Sequence, residues 1–185
     1  MGADELVKVE DARLESGALD SSATALVLAN TVKRIGRYDL ILCGRQAADW
    51  NAGQVGIGIA HLLGIPAVTH VRKVEIQDQH AVLERVTAAG FEVVRARLPA
   101  VIVASNEVGA MRYPTMIQRR LAKKKPVVSW AAADIDLPGE LPNRLVLKRL
   151  FVPEMRKGHC QIIEGETPAA AGRNLAHRLR KDRVI

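Results

Sequence analysis

The stretch Asp39-Leu-Ile-Leu-Cys43 decides the fold, because it is a short, continuous apolar run that leads directly into Gly44. Such a run is typical of a strand that is buried on both faces of a parallel sheet. After a polar loop, the apolar spacing over 53–63 predicts a helix that ends at Gly64-Ile-Pro66, and residues 67–71 resemble another strand. A strand, a loop, a helix and a strand in this order predict a βαβ unit and therefore a parallel sheet.

The neighbouring segments extend this unit into a larger α/β fold. Residues 23–35 carry apolar side chains at helical spacing after Asp20-Ser-Ser, which supplies candidate helix caps. The stretch 74–94 alternates between apolar and polar side chains and predicts antiparallel strands with one solvated face. The buried run 98–104 then returns to the parallel core. We therefore predict an α/β, Rossmann-like parallel sheet with helices on both faces and a small antiparallel excursion.

The C-terminal third has weaker patterns. They predict a basic helix at 115–125, a connector at 126–130, a late strand at 145–152 and a terminal helix at 169–180. On this basis we divide the chain into an α/β domain at about 1–152 and a C-terminal arm with a helix at 153–185.

The composition excludes several classes of protein. The chain has 185 residues, 48% apolar and 25% charged, which is enough for one globular core. Two residues each of Phe, Trp and Tyr argue against single-stranded nucleic acid bound by repeated stacking. No run of about 18 apolar residues occurs, so we expect no direct membrane insertion. The net charge of +7 suits an anionic ligand, nucleic acid or an acidic partner, without choosing between them.

The residues that usually carry catalysis or bind metals are scattered. Cys43 and Cys160 are far apart with no CxxC, and the five histidines are not grouped. No Ser/His/Asp or Cys/His arrangement is visible, and Cys43 ends a predicted strand as a small core residue would. We predict no metal site and no catalytic side chain.

The segment 44–56 is the strongest candidate for ligand binding, because it joins a buried strand to a helix. A glycine-containing turn at this place lets backbone N–H groups reach a phosphate, and the helix N-terminus adds partial positive charge. Arg45 supplies a charged contact, while four polar residues suit a sugar or a base edge: Gln46, Asp49, Asn51 and Gln54. The alternative is that these are ordinary loop and cap residues, and that Gly53, Gly56 and Gly58 only let the helix pack closely. The spacing alone leaves both interpretations open.

Several motifs in this order resemble one family, the β subunit of the electron transfer flavoprotein. They are Gly44-Arg-Gln-Ala-x-Asp-x-x-x-x-Gln-Val-Gly56, Leu63-Gly-Ile-Pro66, Leu98-Pro-Ala100, Arg112-Tyr-Pro114 and Ala122-Lys-Lys-Lys-Pro126. Together they cover most of the chain from Asp39 to Pro126. Ile162-Ile-Glu-Gly165 and a terminal helix before Val184-Ile185 fit the C-terminal end of that family.

The resemblance implies an electron carrier rather than an enzyme, with an adenine-nucleotide α-hydrolase-like fold. This subunit would bind AMP, or a second FAD in bifurcating relatives, while the redox FAD lies mainly in a partner α subunit. The implied nucleotide-binding residues are Gly44, Arg45, Gln46, Ala47, Asp49, Asn51, Gln54, Val55 and Gly56. The heterodimer would carry electrons from flavin dehydrogenases to a quinone oxidoreductase or another acceptor. It would work in the bacterial cytoplasm, or in the mitochondrial matrix if eukaryotic.

The segment 112–125 holds six cations and no acidic residue. A solvated helical face is the ordinary interpretation of such a charge run. The resemblance instead implies a recognition loop that binds partner dehydrogenases around an apolar anchor at Met116. The implied partner-binding residues are Tyr113, Met116, Arg119, Arg120, Lys123 and Lys124. An unbranched thioether suits this role because it repacks against different partners.

Two positions depart from the family pattern. Val86 follows Glu84-Arg85 where many relatives have a carboxylate, which argues against a flavin-tuning role for that strand. Met1-Gly-Ala-Asp resembles an internal segment, so we expect the first strands and helices of the nucleotide-binding domain to be missing. The alternative function is a stand-alone adenine-nucleotide-binding module similar to universal stress proteins. An RNA-binding domain is disfavoured because aromatic residues do not interleave with the cations.

Overall fold

The computed structural model describes residues 2–14, 19–153, 158 and 160–185. The chain divides into two compact units, Met1–Val146 and Leu147–Ile185. The predicted division at residue 152 stays a prediction, and residues 154–157 and 159 of the predicted arm lie outside the described residues.

The first unit contains both helices and strands, and the second unit contains a terminal helix. The helices are α1 (Ser21–Ile35), α2 (Val55–Leu63), α3 (Met116–Ala122) and α4 (Pro168–Lys181). The strands are β1 (Leu6–Val9), β2 (Leu40–Gly44), β3 (Ala67–Gln77), β4 (His80–Thr87), β5 (Gly90–Arg97), β6 (Ala100–Ala104) and β7 (Val127–Trp130). The predicted α/β class, with a parallel core and an antiparallel excursion, is confirmed.

The main sheet has five strands in the order β2-β6-β3-β4-β5. Strand β6 runs parallel to both β2 and β3, whereas β4 runs antiparallel to β3 and β5. The sequence predicts one strand at 67–71 and a separate alternating stretch at 74–94, but β3 continues without a break from 67 to 77. Its register shifts between Val68 and Val71, where His70 has a positive φ of 57°, and the strand changes there from a parallel to an antiparallel neighbour.

The doubly buried strand is β6 and not β2, which corrects the expectation for residues 39–43. Residues 100–103 are at most 4% exposed, whereas Leu42 is 66% exposed. Strand β2 lies at the edge of the sheet and pairs only with β6. Its apolar composition therefore identified a strand, but composition does not distinguish an edge strand from a central one.

Two apolar clusters form the core of the first unit. Residues of α1, α2 and β6 form the first cluster: Ala25, Ile59, Ala60, Val101 and Val103. Strand residues form the second: Val68, Val71, Ala81, Leu83, Ala96, Ala100 and Ile102. Parallel pairing of Ile41 with Val101 places β2 on the first cluster as well. The first cluster fixes α2 against the sheet directly after the loop 45–54.

Two predictions for the C-terminal third are wrong. Residues 127–130, predicted as a connector, form β7 and pair in parallel with β1 in a separate two-stranded sheet. Residues 145–152, predicted as a strand, have no regular secondary structure. At their start the backbone N–H groups of Arg144 and Leu145 donate to Oδ2 of Asp20, at 2.6 and 3.1 Å, instead of to a strand.

Candidate functional site

The loop 45–54 leaves the carboxyl end of β2 and enters α2. Gly44 is in register with Ala104, so the residues that follow β6 reach the same edge of the sheet. In open α/β sheets, ligands bind in the crevice outside the carboxyl ends of the strands. The geometry therefore places the predicted nucleotide-binding residues where this class of fold binds ligands.

Hydrogen bonds inside the loop give it a defined shape. Nε2 of Gln46 donates to Oδ1 of Asn51 at 3.0 Å, and the Asn51 N–H donates to the Ala47 carbonyl at 3.0 Å. Asn51 has a φ of 51° and Gly53 a φ of 64°, so the chain turns twice through the left-handed region. Asp49 accepts from the Trp50 N–H at 2.7 Å. These contacts bring Gln46 and Asn51 together and use part of their polar capacity within the loop.

The N-terminus of α2 differs from that of the other three helices longer than one turn. Gln54 occupies the N-cap position, and its side chain makes no capping hydrogen bond. By contrast, Asp20, Thr115 and Thr167 accept hydrogen bonds from backbone N–H groups at the starts of α1, α3 and α4. The first N–H groups of α2 therefore have no side-chain cap, and such groups attract anions.

Glycines hold this helix close to its neighbours. A Cβ on Gly56 would lie 2.7 Å from Cγ2 of Val103 and 3.2 Å from Cβ of Cys43. A Cβ on Gly58 would lie 2.7 Å from Cβ of Ala25. The packing interpretation of Gly56 and Gly58 therefore holds, and the same packing fixes the start of α2. Burial raises the pKa of the Cys43 thiol, which favours its protonated form.

A groove of about 400 Å³ lies between α1 and α2. Of the predicted nucleotide-binding residues, it includes only Gln54. The other lining residues are Ser21, Ser22, Ala25, Gly58, His61, Leu62 and Arg144. The sequence patterns do not reveal this groove, because its two walls, α1 and α2, lie far apart in the chain.

Ser105 is a further candidate that the motifs did not identify. It follows β6, is buried, and donates its N–H to the Val71 carbonyl at 2.8 Å. Its Oγ accepts from the Glu107 N–H at 3.2 Å. The register between β2 and β6 brings this turn to the same edge as Gly44, a relation that only strand pairing reveals.

The predicted partner-binding residues lie on and around α3. Thr115 and Gln118 form a capping box: the Thr115 N–H donates to Oε1 of Gln118 at 2.8 Å, and the Gln118 N–H donates to Oγ1 of Thr115 at 3.3 Å. No residue of α3 is buried, and Met116 is 71% exposed. Arg119, Arg120, Lys123 and Lys124 are also exposed. The segment is thus ordered by its own cap and presents its side chains to solvent.

Lys125 differs from the other cations of this segment. Its Nζ lies 2.8 Å from Oδ1 of Asp4, and this hydrogen bond and charge hold the pKa of the Asp4 carboxyl below its usual value. The pair ties the end of the basic segment to the strand region at β1. Lys125 is not one of the predicted partner-binding residues, and that set stays a prediction.

Exposed apolar side chains also mark the second unit. Leu147, Leu150, Phe151, Val152 and Ile162 are all exposed, and α4 buries no residue. Within this unit the Arg149 guanidinium lies 4.8 Å from the centre of the Phe151 ring. Large apolar side chains that remain exposed are candidates for contact with another protein when they form a contiguous patch.

Metal sites and membrane-spanning helices can be assessed only in the part of the chain that the structure describes. No group of three or more His, Cys, Asp or Glu side chains in these residues has a geometry that would hold a metal ion. None of the helices in the described ranges is long and apolar enough to cross a membrane.

Comparison with known proteins gives a family match and close relatives. The model of the electron transfer flavoprotein domain matches residues 1–135. The chain is 32% identical, over 191 aligned positions, to the caffeyl-CoA reductase-Etf complex subunit CarD of Acetobacterium woodii, covering all of this chain and 71% of that protein.

Two similar relatives are named electron transfer flavoprotein subunit beta. The one from Thermoanaerobacterium thermosaccharolyticum is 41% identical over 116 residues, covering 63% of this chain and 44% of the relative. The one from Clostridium acetobutylicum is 38% identical over 137 residues, covering 74% of this chain and 52% of the relative. The chain therefore spans about half the length of these two β subunits.

Proposed function

This chain belongs to the electron transfer flavoprotein family, and we propose that it acts as a β-type subunit of an electron carrier. With a flavin-bearing α subunit, it carries electrons from flavin dehydrogenases to a quinone oxidoreductase or another acceptor. The observation that carries this proposal is the family match over 1–135 together with 38–41% identity to β subunits. The relatives compared above are bacterial, so the proposed location is the bacterial cytoplasm.

The proposed ligand of this subunit is AMP, or a second FAD as in bifurcating relatives. The residues fit its phosphate end: α2 begins without a side-chain cap, and Arg45 adds a positive charge in the preceding loop. The N–H groups of Val55 and Gly56 would bind phosphate oxygens. Gln46, Asp49, Asn51 and Gln54 would contact the sugar or the base, while Gly44 and Ala47 let the backbone approach. The nucleotide acts here as a structural ligand, and no bond in it is made or broken.

FAD in the α subunit supplies the redox chemistry when bound, and this chain supplies docking and shape. The exposed apolar side chains named above in the second unit support a large contact with another subunit. Dehydrogenases would dock on α3 around Met116. The cations Arg119, Arg120, Lys123 and Lys124 favour an acidic partner surface and raise the rate of encounter.

The alternative of a stand-alone nucleotide-binding module is not favoured. The relatives that match most of the chain are subunits of electron transfer flavoproteins and of a reductase complex. A lone module also has no evident use for an exposed, capped basic helix.

Co-purification with the α subunit of the same organism tests the proposed function. We expect a yellow heterodimer that releases AMP, or a second FAD, on denaturation, and that is reduced by at least one member of a panel of purified flavin dehydrogenases. A colourless monomer that binds ATP would instead support the stand-alone module. Nucleotide release without any dehydrogenase coupling would retain the nucleotide site and reject the docking role.

Replacing the proposed anchor tests docking separately. Met116→Ala shortens an apolar side chain that is 71% exposed in this chain, so folding should be unchanged. Burial of such a side chain in a partner contributes about 1.5–3 kcal/mol, so we expect the KM of the dehydrogenase for the heterodimer to rise by about ten-fold or more. An unchanged KM would exclude Met116 as the anchor.

A further inference from the structure

Two exposed thioethers lie five positions apart in the basic segment. Met111 is 72% exposed and Met116 is 71% exposed. The other two methionines, at 1 and 155, lie outside the described residues. An exposed thioether is readily oxidised to a sulfoxide, which turns an apolar side chain into a polar one.

We propose that Met116 is a reversible oxidation site at which hydrogen peroxide switches off dehydrogenase docking. In this step one oxygen atom of the peroxide forms a bond to the Met116 sulfur and the O–O bond breaks. The sulfur is oxidised by two electrons, the peroxide is reduced, and water leaves. A methionine sulfoxide reductase supplied with a thiol reverses the step and also releases water. The proposal rests on the docking role of Met116 stated above.

The position of Met116 in α3 makes its sulfoxide different from that of an ordinary surface methionine. Met116 is the first residue of α3, and Arg119 and Arg120 stand three and four positions later. Residues at these separations are neighbours on a helix, and helical side chains lean toward the N-terminus. This spacing puts both guanidinium groups within reach of the Met116 side chain. Both are strong donors with no acceptor of their own.

A sulfoxide oxygen is an acceptor, so it would bind these guanidinium groups. Such a bond would remove the anchor side chain from the partner and would also engage two of the cations that attract it. Thus one oxidation would change both the apolar contact and the hydrogen bonding of two nearby cations. Met111 precedes the helix, in a segment without regular secondary structure. The positions three and four residues after it, 114 and 115, hold Pro and Thr. Its sulfoxide therefore has no arginine at the separations that place Arg119 and Arg120 within reach of Met116.

The equal exposure of the two methionines gives an internal control. We expect both to be oxidised at similar rates, since reaction follows exposure. We expect only the oxidation of Met116 to weaken docking. Met111→Leu should therefore leave the effect of peroxide intact, whereas Met116→Leu should abolish it.

The experiment uses the full heterodimer with the α subunit and the dehydrogenase that reduces it fastest in the panel above. The heterodimer is treated with hydrogen peroxide and then with dithiothreitol, which reverses reversible oxidation of Cys43 and Cys160 but leaves sulfoxides. Peptide mass mapping measures the added oxygen at Met111 and Met116, and steady-state kinetics measure the KM for the heterodimer. Each variant is compared with its own untreated sample, so methionines of the α subunit affect all samples equally.

We expect peroxide to raise the KM about ten-fold for the unmodified sequence and for Met111→Leu, and less than two-fold for Met116→Leu. The two types of methionine sulfoxide reductase, one for each sulfoxide epimer, should together restore the original KM. Arg119→Gln with Arg120→Gln should reduce the size of the peroxide effect, because the sulfoxide then loses its donors.

The outcomes separate this inference from the proposed function. A KM that stays constant while Met116 carries one added oxygen in most molecules would overturn the switch and leave the docking role intact. An equal peroxide effect in Met116→Leu would assign the effect to another residue and overturn the switch as well. Absence of dehydrogenase coupling before treatment would reject the docking role, and the switch with it.

Discussion

Helices α2 and α3 both begin directly after a loop that carries proposed functional residues, but they begin in opposite ways. Helix α2 has no side-chain cap and is packed closely on the sheet through Gly56. Helix α3 has a capping box and buries no residue. The comparison indicates that the two helices are suited to different kinds of binding. Packing holds α2 and leaves its N–H groups for an anion, whereas the cap satisfies α3 and leaves its side chains for another protein.

The largest effect is expected where α2 meets the sheet. Gly56→Ala places a Cβ 2.7 Å from Cγ2 of Val103, and overpacking of this kind destabilises proteins by about 1–3 kcal/mol. We expect a lower thermal midpoint for the heterodimer and a loss of bound nucleotide, because the start of α2 must move. Scanning calorimetry and nucleotide release measure the two effects.

Gly172→Ala is the matched control for Gly56→Ala. Gly172 lies inside α4, and a Cβ there meets nothing within 4 Å. Replacing glycine by alanine at such a site stabilises by about 0.4–1 kcal/mol. If Gly56→Ala lowers stability and Gly172→Ala raises it, close packing is supported as the feature that holds α2 in place. Equal effects would show that Val103 of β6 shifts readily to accommodate the added Cβ. They would contradict close packing as the reason that α2 stays in place.

A smaller effect is expected from the charge in the loop before α2. Arg45→Ala removes the proposed charged contact to phosphate, which is worth about 1.5 kcal/mol, so AMP should bind about ten-fold more weakly. Isothermal titration of the nucleotide-free heterodimer measures this change. Arg37→Ala is the control, since Arg37 precedes β2 and lies at the opposite end of that strand from the loop. If both variants bind AMP equally, Arg45 does not contact the nucleotide.

The cap of α3 gives the third test. Thr115→Ala removes Oγ1, which accepts from the Gln118 N–H, and such a loss costs about 1 kcal/mol of helix stability. We expect the KM of the dehydrogenase to rise a few-fold while AMP affinity stays constant. Thr167→Ala removes the equivalent cap of α4, whose Oγ1 accepts from the Ala170 N–H at 3.1 Å. A similar rise in KM for both variants would show that general destabilisation, and not the order of α3, controls docking.

Local sequence patterns predicted β2, the loop after it and α2 better than they predicted the rest of the fold. The apolar run ending at Cys43, the helix after it and the loop between them follow from residues adjacent in the chain. The continuity of β3 through His70, and the pairing of β1 with β7, depend on partners distant in sequence. The segment 145–152 has strand-like composition, but a carboxylate at Asp20 binds its first N–H groups. Periodicity does not encode such long-range choices.

The candidate site shows the same limit. The motif was enough to predict that Arg45 and Gln54 belong to the site. The missing cap on α2 and the hydrogen bond between Gln46 and Asn51 could be found only from the three-dimensional structure. The motif predicts which residues lie near the ligand. It did not identify which polar groups the loop uses internally.

The smallest effect concerns the charges on α3. Arg119→Gln with Arg120→Gln removes two exposed cations, and exposed charges act on encounter more than on the final complex. At low ionic strength we expect the association rate with the dehydrogenase to fall a few-fold. Near 0.1 M salt, where the Debye length is about 10 Å, the difference should become smaller. Lys33→Gln with Arg37→Gln removes the same charge near the end of α1. Stopped-flow reduction at several salt concentrations then separates local steering by α3 from the effect of net charge, because only local steering predicts a difference between the two double variants.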